Sequence, residues 1–288
     1  RPLRAFGTLC TSPPTRPNEV PMNKLTTLEQ AVSLIGDGAC VSLGGNTLNR
    51  APMAAVFEMV RQKKRGLRVV KTAGAMDVDA LCLAGCAASI DAGFISYESQ
   101  YGLAQRYRRS VQSGLVRANE HACYTVISAL RAASYGIPFM PVRGLKVSDL
   151  RKVNDYFADV TDPFTGETLA AVRAIRPDFA VVHAQIADSQ GNAFFEGPKY
   201  EDVLLSRASQ KVIVTAERIV GEGHFSGGGC KADIPHFLTA AVVHVPRGAA
   251  PGACFGYYEP DDAFIRAFLE LKDAEALDRF LSEGGRRL

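Results

Sequence analysis

Residues 178–192 read DFAVVHAQIADSQGN, and this stretch decides the fold. Arg176-Pro177-Asp178 is a turn that ends whatever precedes it. Phe179-Ala180-Val181-Val182 follows as a short continuous apolar run. A run of this kind, partly β-branched and bounded by turn residues, predicts a strand buried on both faces. Asp188-Ser189-Gln190-Gly191-Asn192 then closes the stretch as a tight polar turn. Gly offers positive φ there, and Asp and Asn bond their own backbone. A buried central strand ending in such a turn is where α/β folds place ligands.

Upstream, Thr26 or Thr27 is placed to cap a helix, with Glu29 or Gln30 near the third position. A short buried strand over 39–43 leads into GGNTLNRAP at 44–52, and Pro52 suits the first turn of a helix over 53–62. The pattern repeats: strand 67–71, loop 72–75, helix 76–83; then strand 89–96, loop 97–102, helix 103–113. Next come a strand at 116–119, a helix over 121–134 opened by Glu120, and a strand within 136–141. Residues 142–176 are the least regular, with a turn at 162–167 and a strand at 168–174. Downstream lie a helix at 200–208, a strand at 211–215, a mobile glycine-rich loop at 221–230, a strand at 240–244 and a closing amphipathic helix at 264–281. Alternating strands and helices predict an α/β fold, a mainly parallel sheet with helices on both faces and right-handed crossovers.

The 288 residues suffice for an ample core, and 47% hydrophobic with 22% charged content is that of a globular protein. A net charge of +3 is too small to argue for nucleic acid. No apolar run approaches the ~20 residues of a membrane span. Seven scattered cysteines fit reduced thiols in a cytoplasmic protein. Cys82 and Cys86 share a helix face but have no companions at ligand spacing, and the five histidines are far apart, so no metal site is expected. Residues 1–21, rich in Pro and Arg, read as a poorly ordered extension, with Met22 as a natural start and a single domain over 22–288.

The organising stretch, with Gly44-Gly45 upstream and Ala216-Glu217-Arg218-Ile219-Val220 downstream, resembles the alpha (A) subunit of the two-subunit CoA-transferases. Glutaconate CoA-transferase and the 3-oxoacid CoA-transferases belong to that family. The likeness runs from about residue 25 to 220 and implies the CoA-transferase (NagB/RpiA-like) fold. It further implies one half of a heteromer acting on an acyl-CoA and a carboxylic acid, with no permanently bound cofactor. In that family a glutamate of the beta (B) subunit, in a Ser-Glu-x-Gly motif, attacks the thioester. Ser282-Glu283-Gly284-Gly285 matches the letters here, but it follows a predicted helix, so it reads as a helix end. The nucleophile is therefore expected on the partner. A ring-opening acyl-CoA hydrolase of sterol catabolism and a non-catalytic ligand-sensing domain are the alternatives on this fold.

The resemblance assigns the Gly44-Gly45 loop to the acyl-CoA site. A strand, a glycine loop and a helix N-terminus suit an anion or carbonyl, so Asn46 and Asn49 join it as binding candidates. Glu120 is the leading acid: placed at a helix start, the dipole would hold it ionised. Relatives carry a polar pair after it, where this chain has Ala122-Cys123. Cys123 is a binding candidate at the same helix start. Glu98 is an acid at a strand end, and Gln185 and Asn192 are amides near the organising turn that could hold a carbonyl.

Overall fold

The computed structural model describes residues 23–145, 148–221, 223–226 and 230–284. The extension at 1–21 lies outside them, as does part of the loop at 221–230. Seven parallel strands form the main sheet: β1 (Cys40–Leu43), β2 (Leu67–Gly74), β3 (Ala87–Ile95), β4 (Arg117–Glu120), β8 (Phe179–Asp188), β10 (Lys211–Val220) and β11 (Thr239–His244). Their order is β11-β10-β8-β1-β2-β3-β4, and a two-residue β9 (Ala193–Phe194) pairs antiparallel to β8. The organising stretch is the centre of this sheet, and all ten residues of β8 are buried. Alternation divides its side chains. Phe179 and Val181 enter one core, while Ala180, Val182 and Ala184 enter the other.

Two helical layers cover those faces. On the first lie α1 (Leu28–Ser33), α2 (Met53–Arg61), α3 (Met76–Leu83), α9 (Asp262–Leu269) and α10 (Ala274–Gly284). On the second lie α6 (Cys123–Ser134) and α8 (Asp202–Ala208). The helices α4 (Glu98–Tyr101), α5 (Gln105–Gln112) and α7 (Leu150–Val153) complete the set. The first helix starts as its residues dictate: the Thr27 hydroxyl accepts from the Gln30 N–H, and Gln30 closes the reciprocal capping box.

Several boundaries differ from expectation. Strand β2 runs on to Gly74, so 72–74 is ladder, paired through Ala73 and Gly74 to β3. Residues 97–102 hold the short α4 rather than a plain loop. The stretch 142–176 is not irregular. Strands β5 (Phe139–Val142), β6 (Phe157–Thr161) and β7 (Thr168–Arg173) form a second, antiparallel sheet in the order β5-β7-β6. Its apolar alternation is weak because only β7 is buried along most of its length. The closing helix is two: Asp261 caps α9, the Asp273 side chain accepts the Ala276 N–H at the start of α10, and the buried Arg106 guanidinium holds the carbonyls of Phe268, Leu269 and Leu271 between them.

Glu120 does not open a helix. It is the last residue of β4, and α6 begins three residues later at Cys123. Thr125 Oγ1 sits 3.0 Å from the Ala122 N and 2.9 Å from the Ala122 O, which fixes the helix start there. The dipole argument for Glu120 therefore loses its premise. No helix among the described residues is long and apolar enough to cross a membrane.

Candidate functional site

The C-terminal ends of β1, β2 and β3 meet the N-termini of α6 and α8. Close approach of backbone makes the junction. A Cβ on Gly44 would stand 2.1 Å from Asp202 Oδ1, and one on Gly93 would stand 2.2 Å from the Cys123 N. Gly45 holds φ +71, and its Cβ would meet the Arg50 carbonyl carbon at 2.4 Å. The loop is thus folded tightly on itself, with Thr47 and Arg50 also at positive φ.

Its amides are engaged from within. Gly45 N–H donates to Asp202 Oδ1 at 3.0 Å, Thr47 N–H to the Ala73 carbonyl at 2.9 Å and Arg50 N–H to the Ala253 carbonyl at 2.7 Å. Asn46 and Asn49 bond each other's backbone at 2.8 and 2.7 Å. Two buried ion pairs brace the loop. Arg50 reaches Asp202 at 2.9 Å and also donates to the His183 and Pro198 carbonyls. Lys71 pairs with Asp77 at 3.0 Å and donates to the Gly44 and Gly45 carbonyls. The expected cradle of inward N–H groups is in fact a braced wall.

Above this wall stand Cys123 and Glu201. The Cys123 thiol is half-buried and lies 3.5 Å from the Thr72 carbonyl oxygen. Burial pushes it up, and nearby Glu201 pushes it further, so it is not an activated thiolate. Burial, then Asp202, pushes the Glu201 carboxyl up against the opposing pull of Lys71, which favours its protonated form. Sequence reasoning misses Glu201. The available signal is the acid pair Glu201-Asp202 at a helix start, whose second member braces the glycine loop.

Gly44, Gly45 and Cys123 come together here, and Asn46 follows the two glycines in the loop. Asn49 is exposed, with its backbone paired to that of Asn46. Glu98 and Glu120 are exposed at the ends of α4 and β4, and the Glu120 carbonyl accepts from Asn154 Nδ2 at 2.6 Å. The two amides are occupied elsewhere. Gln185 is fully buried and clamps Glu196 and Phe255 backbone to β8. Asn192 donates to Asp188 at 2.7 Å and accepts the His236 N–H, while Asp188 Oδ1 accepts three turn amides. His183, Glu217 and Cys254 cluster with ligand atoms within 4.8 Å. Their side chains are donors a transition metal takes, but His183 Nε2 and Glu217 Oε1 already face each other at 2.8 Å.

A parallel sheet whose central strand ends carry a glycine loop and two helix N-termini is an α/β chain built to bind at that edge. Residues 25–244 match the family described as coenzyme A transferase, and the chain belongs to that family. It is 35% identical to the A component of the 3-oxoadipate CoA-transferase of Pseudomonas knackmussii, over 91% of this chain and 93% of that one. It is 30% identical to the IpdA component of the cholesterol ring-cleaving hydrolase of Rhodococcus jostii, over 90% and 91%. Among solved structures, glutaconate coenzyme A-transferase of Acidaminococcus fermentans superposes with a TM-score of 0.84 at 30% identity, covering 90% of this chain and 88% of that one. A variant of the decarboxylase AibA/AibB gives 0.82 at 34%, covering 90% and 98%.

Proposed function

We propose that this chain is the alpha half of a heteromeric acyl-CoA:carboxylate CoA-transferase, and that its beta partner carries the nucleophilic glutamate. One observation carries the reading. The chain is similar along 91% of its length to the A component of a CoA-transferase, and the aspartates beside its glycine loop, Asp77 and Asp202, are buried in ion pairs. A partner glutamate would attack the thioester carbonyl and expel CoA thiolate, forming a mixed anhydride. The thiolate then attacks the glutamyl carbonyl, which releases the donor acid and leaves a glutamyl-CoA thioester. The acceptor carboxylate reverses both steps, and the kinetics are ping-pong. This chain supplies the braced glycine wall, with the Cys123 thiol and the Glu201 carboxyl beside it. Phe94, Tyr124, Tyr200 and Phe255 stand exposed on the segments around these strand ends and suit coverage by a partner chain.

Hydrolysis is the second reading, favoured by the likeness to the ring-cleaving hydrolase. A sensing domain would need no partner nucleophile at all. The test is co-production with the beta partner and a panel of acyl-CoAs and acids. Transfer predicts CoA exchange only with an acceptor, and inactivation by borohydride after acyl-CoA alone, through reduction of a thioester on the partner. CoA released without acceptor assigns hydrolysis, and CO2 release assigns decarboxylation.

Glu120 bears on the same choice. We assign this exposed acid at a strand end the role of positioning substrate or a partner loop. Glu120→Gln should reduce transfer about tenfold, ~1.4 kcal/mol in barrier height. A thousandfold loss with assembly intact, in an enzyme that hydrolyses acyl-CoA, would reject the transferase reading.

A further inference from the structure

Glu217 lies within the motif that marks the family, and it is buried on β10. Its carboxylate gathers three groups, one from β8 and two from the segment after β11. Oε1 accepts from the Tyr258 hydroxyl at 2.5 Å and faces His183 Nε2 at 2.8 Å. Oε2 accepts the Arg247 N–H at 2.7 Å. Burial alone would raise Glu217, but these hydrogen bonds hold it below the ordinary glutamate value.

Arg247 and Tyr258 are the two ends of one segment, 247–258, which follows β11. Arg247 holds φ +62, a conformation non-glycine residues rarely adopt, with its N–H bonded to the carboxylate. The Tyr258 hydroxyl also accepts the Ala249 N–H at 3.0 Å, which folds the segment back on itself. Between its ends the segment presses on the glycine loop. Ala253 N–H donates to the Leu48 carbonyl, and Arg50 N–H donates to the Ala253 carbonyl, both at 2.7 Å. Ala54 N–H, in the first turn of α2, donates to the Gly248 carbonyl at 2.9 Å. A Cβ on Gly252 would stand 2.2 Å from the Leu48 carbonyl oxygen, so the contact has no slack.

We infer that Glu217 is a positioning residue for the glycine loop. By holding both ends of segment 247–258 it sets where Leu48, Arg50 and the start of α2 lie. Loop and segment also wall a cavity of about 230 Å³ that takes in Asn49, Arg50, Tyr200, Phe255 and Tyr258. A shift of the segment therefore reshapes the cavity and the loop together. The consequence for catalysis rests on the reading of this loop as part of the acyl-CoA site.

Hydrogen exchange, read by mass spectrometry on the assembled complex, tests the inference in Tyr258→Phe and Glu217→Gln. Tyr258→Phe deletes a single hydroxyl and leaves the ring. Peptides covering 44–54 should exchange about tenfold faster in both variants, while peptides from β2 and β3 hold their wild-type rates. Unchanged loop exchange in both variants, or exchange that rises evenly across the chain, overturns it. In the same samples the acyl-CoA KM should rise about tenfold with kcat nearly unchanged. Selective loosening of the loop with both constants unchanged supports the role of Glu217 and instead strikes the assignment of the loop to the acyl-CoA site.

Discussion

Asp202→Ala is expected to lower the stability of the chain by about 3–5 kcal/mol, the loss typical when one partner of a buried ion pair is removed. Arg50 and Asp202 have side chains only 3% and 0% exposed. The alanine leaves the guanidinium with two carbonyls and no counter-charge, and it strips the Gly45 N–H of its acceptor. A buried donor without a partner adds its own desolvation penalty. Both losses fall on the glycine loop, so transfer by the assembled enzyme should fall with stability. Asp202→Asn separates the effects, because the amide oxygen still accepts from Gly45 while the charge is gone. Urea unfolding of the three proteins measures the result. An alanine variant within about 1 kcal/mol of wild type would mean that the loop is held by packing alone.

The parts of the fold legible in the sequence are those fixed by neighbours along the chain. The 76–83 helix forms where the repeating strand, loop and helix pattern places it, Thr27 caps the first helix, and the Asp188 turn forms as its side chains imply. Strand β8 starts at Phe179 as expected, yet it runs to Asp188 because β10 continues to pair with it through Val220. No local signal announces that pairing. The same limit hides the bracing of the site. Arg50 and Asp202 are 152 residues apart, and Lys71 reads as an ordinary strand lysine until its ammonium is found under Gly44 and Gly45. Glu120 escapes its expected place for a local reason: Ala122 is a poor cap by type, and the helix start is set by Thr125 reaching back to it. Glu201 shows in the sequence only as half of an acid pair at a helix start, because its raised pKa comes from burial and from Asp202, and burial is not written in a few consecutive letters.

The isolated chain should show no CoA transfer, and adding the beta partner should restore it. Transfer needs an ionised carboxylate that can reach a thioester in a site closed to water, since an exposed anhydride hydrolyses. The carboxylates around the strand ends and in the core each fail one condition. Asp77, Asp79 and Asp202 are fully buried and paired with Lys71, Arg106 and Arg50. Asp91 is buried against His121, and Asp188 is buried and accepts three turn amides. Glu217 is held by Tyr258, His183 and the Arg247 N–H. Glu201 is pushed toward its protonated form. Glu98 and Glu120 are open to solvent, and Glu283 is exposed inside α10, with no strand leading to it. A partner chain laid over Tyr124 and Tyr200 would both bring the nucleophile and exclude water. Exchange by the purified chain alone, surviving Glu283→Ala, would show that another carboxylate of this chain is the nucleophile, and the half-site reading would fall.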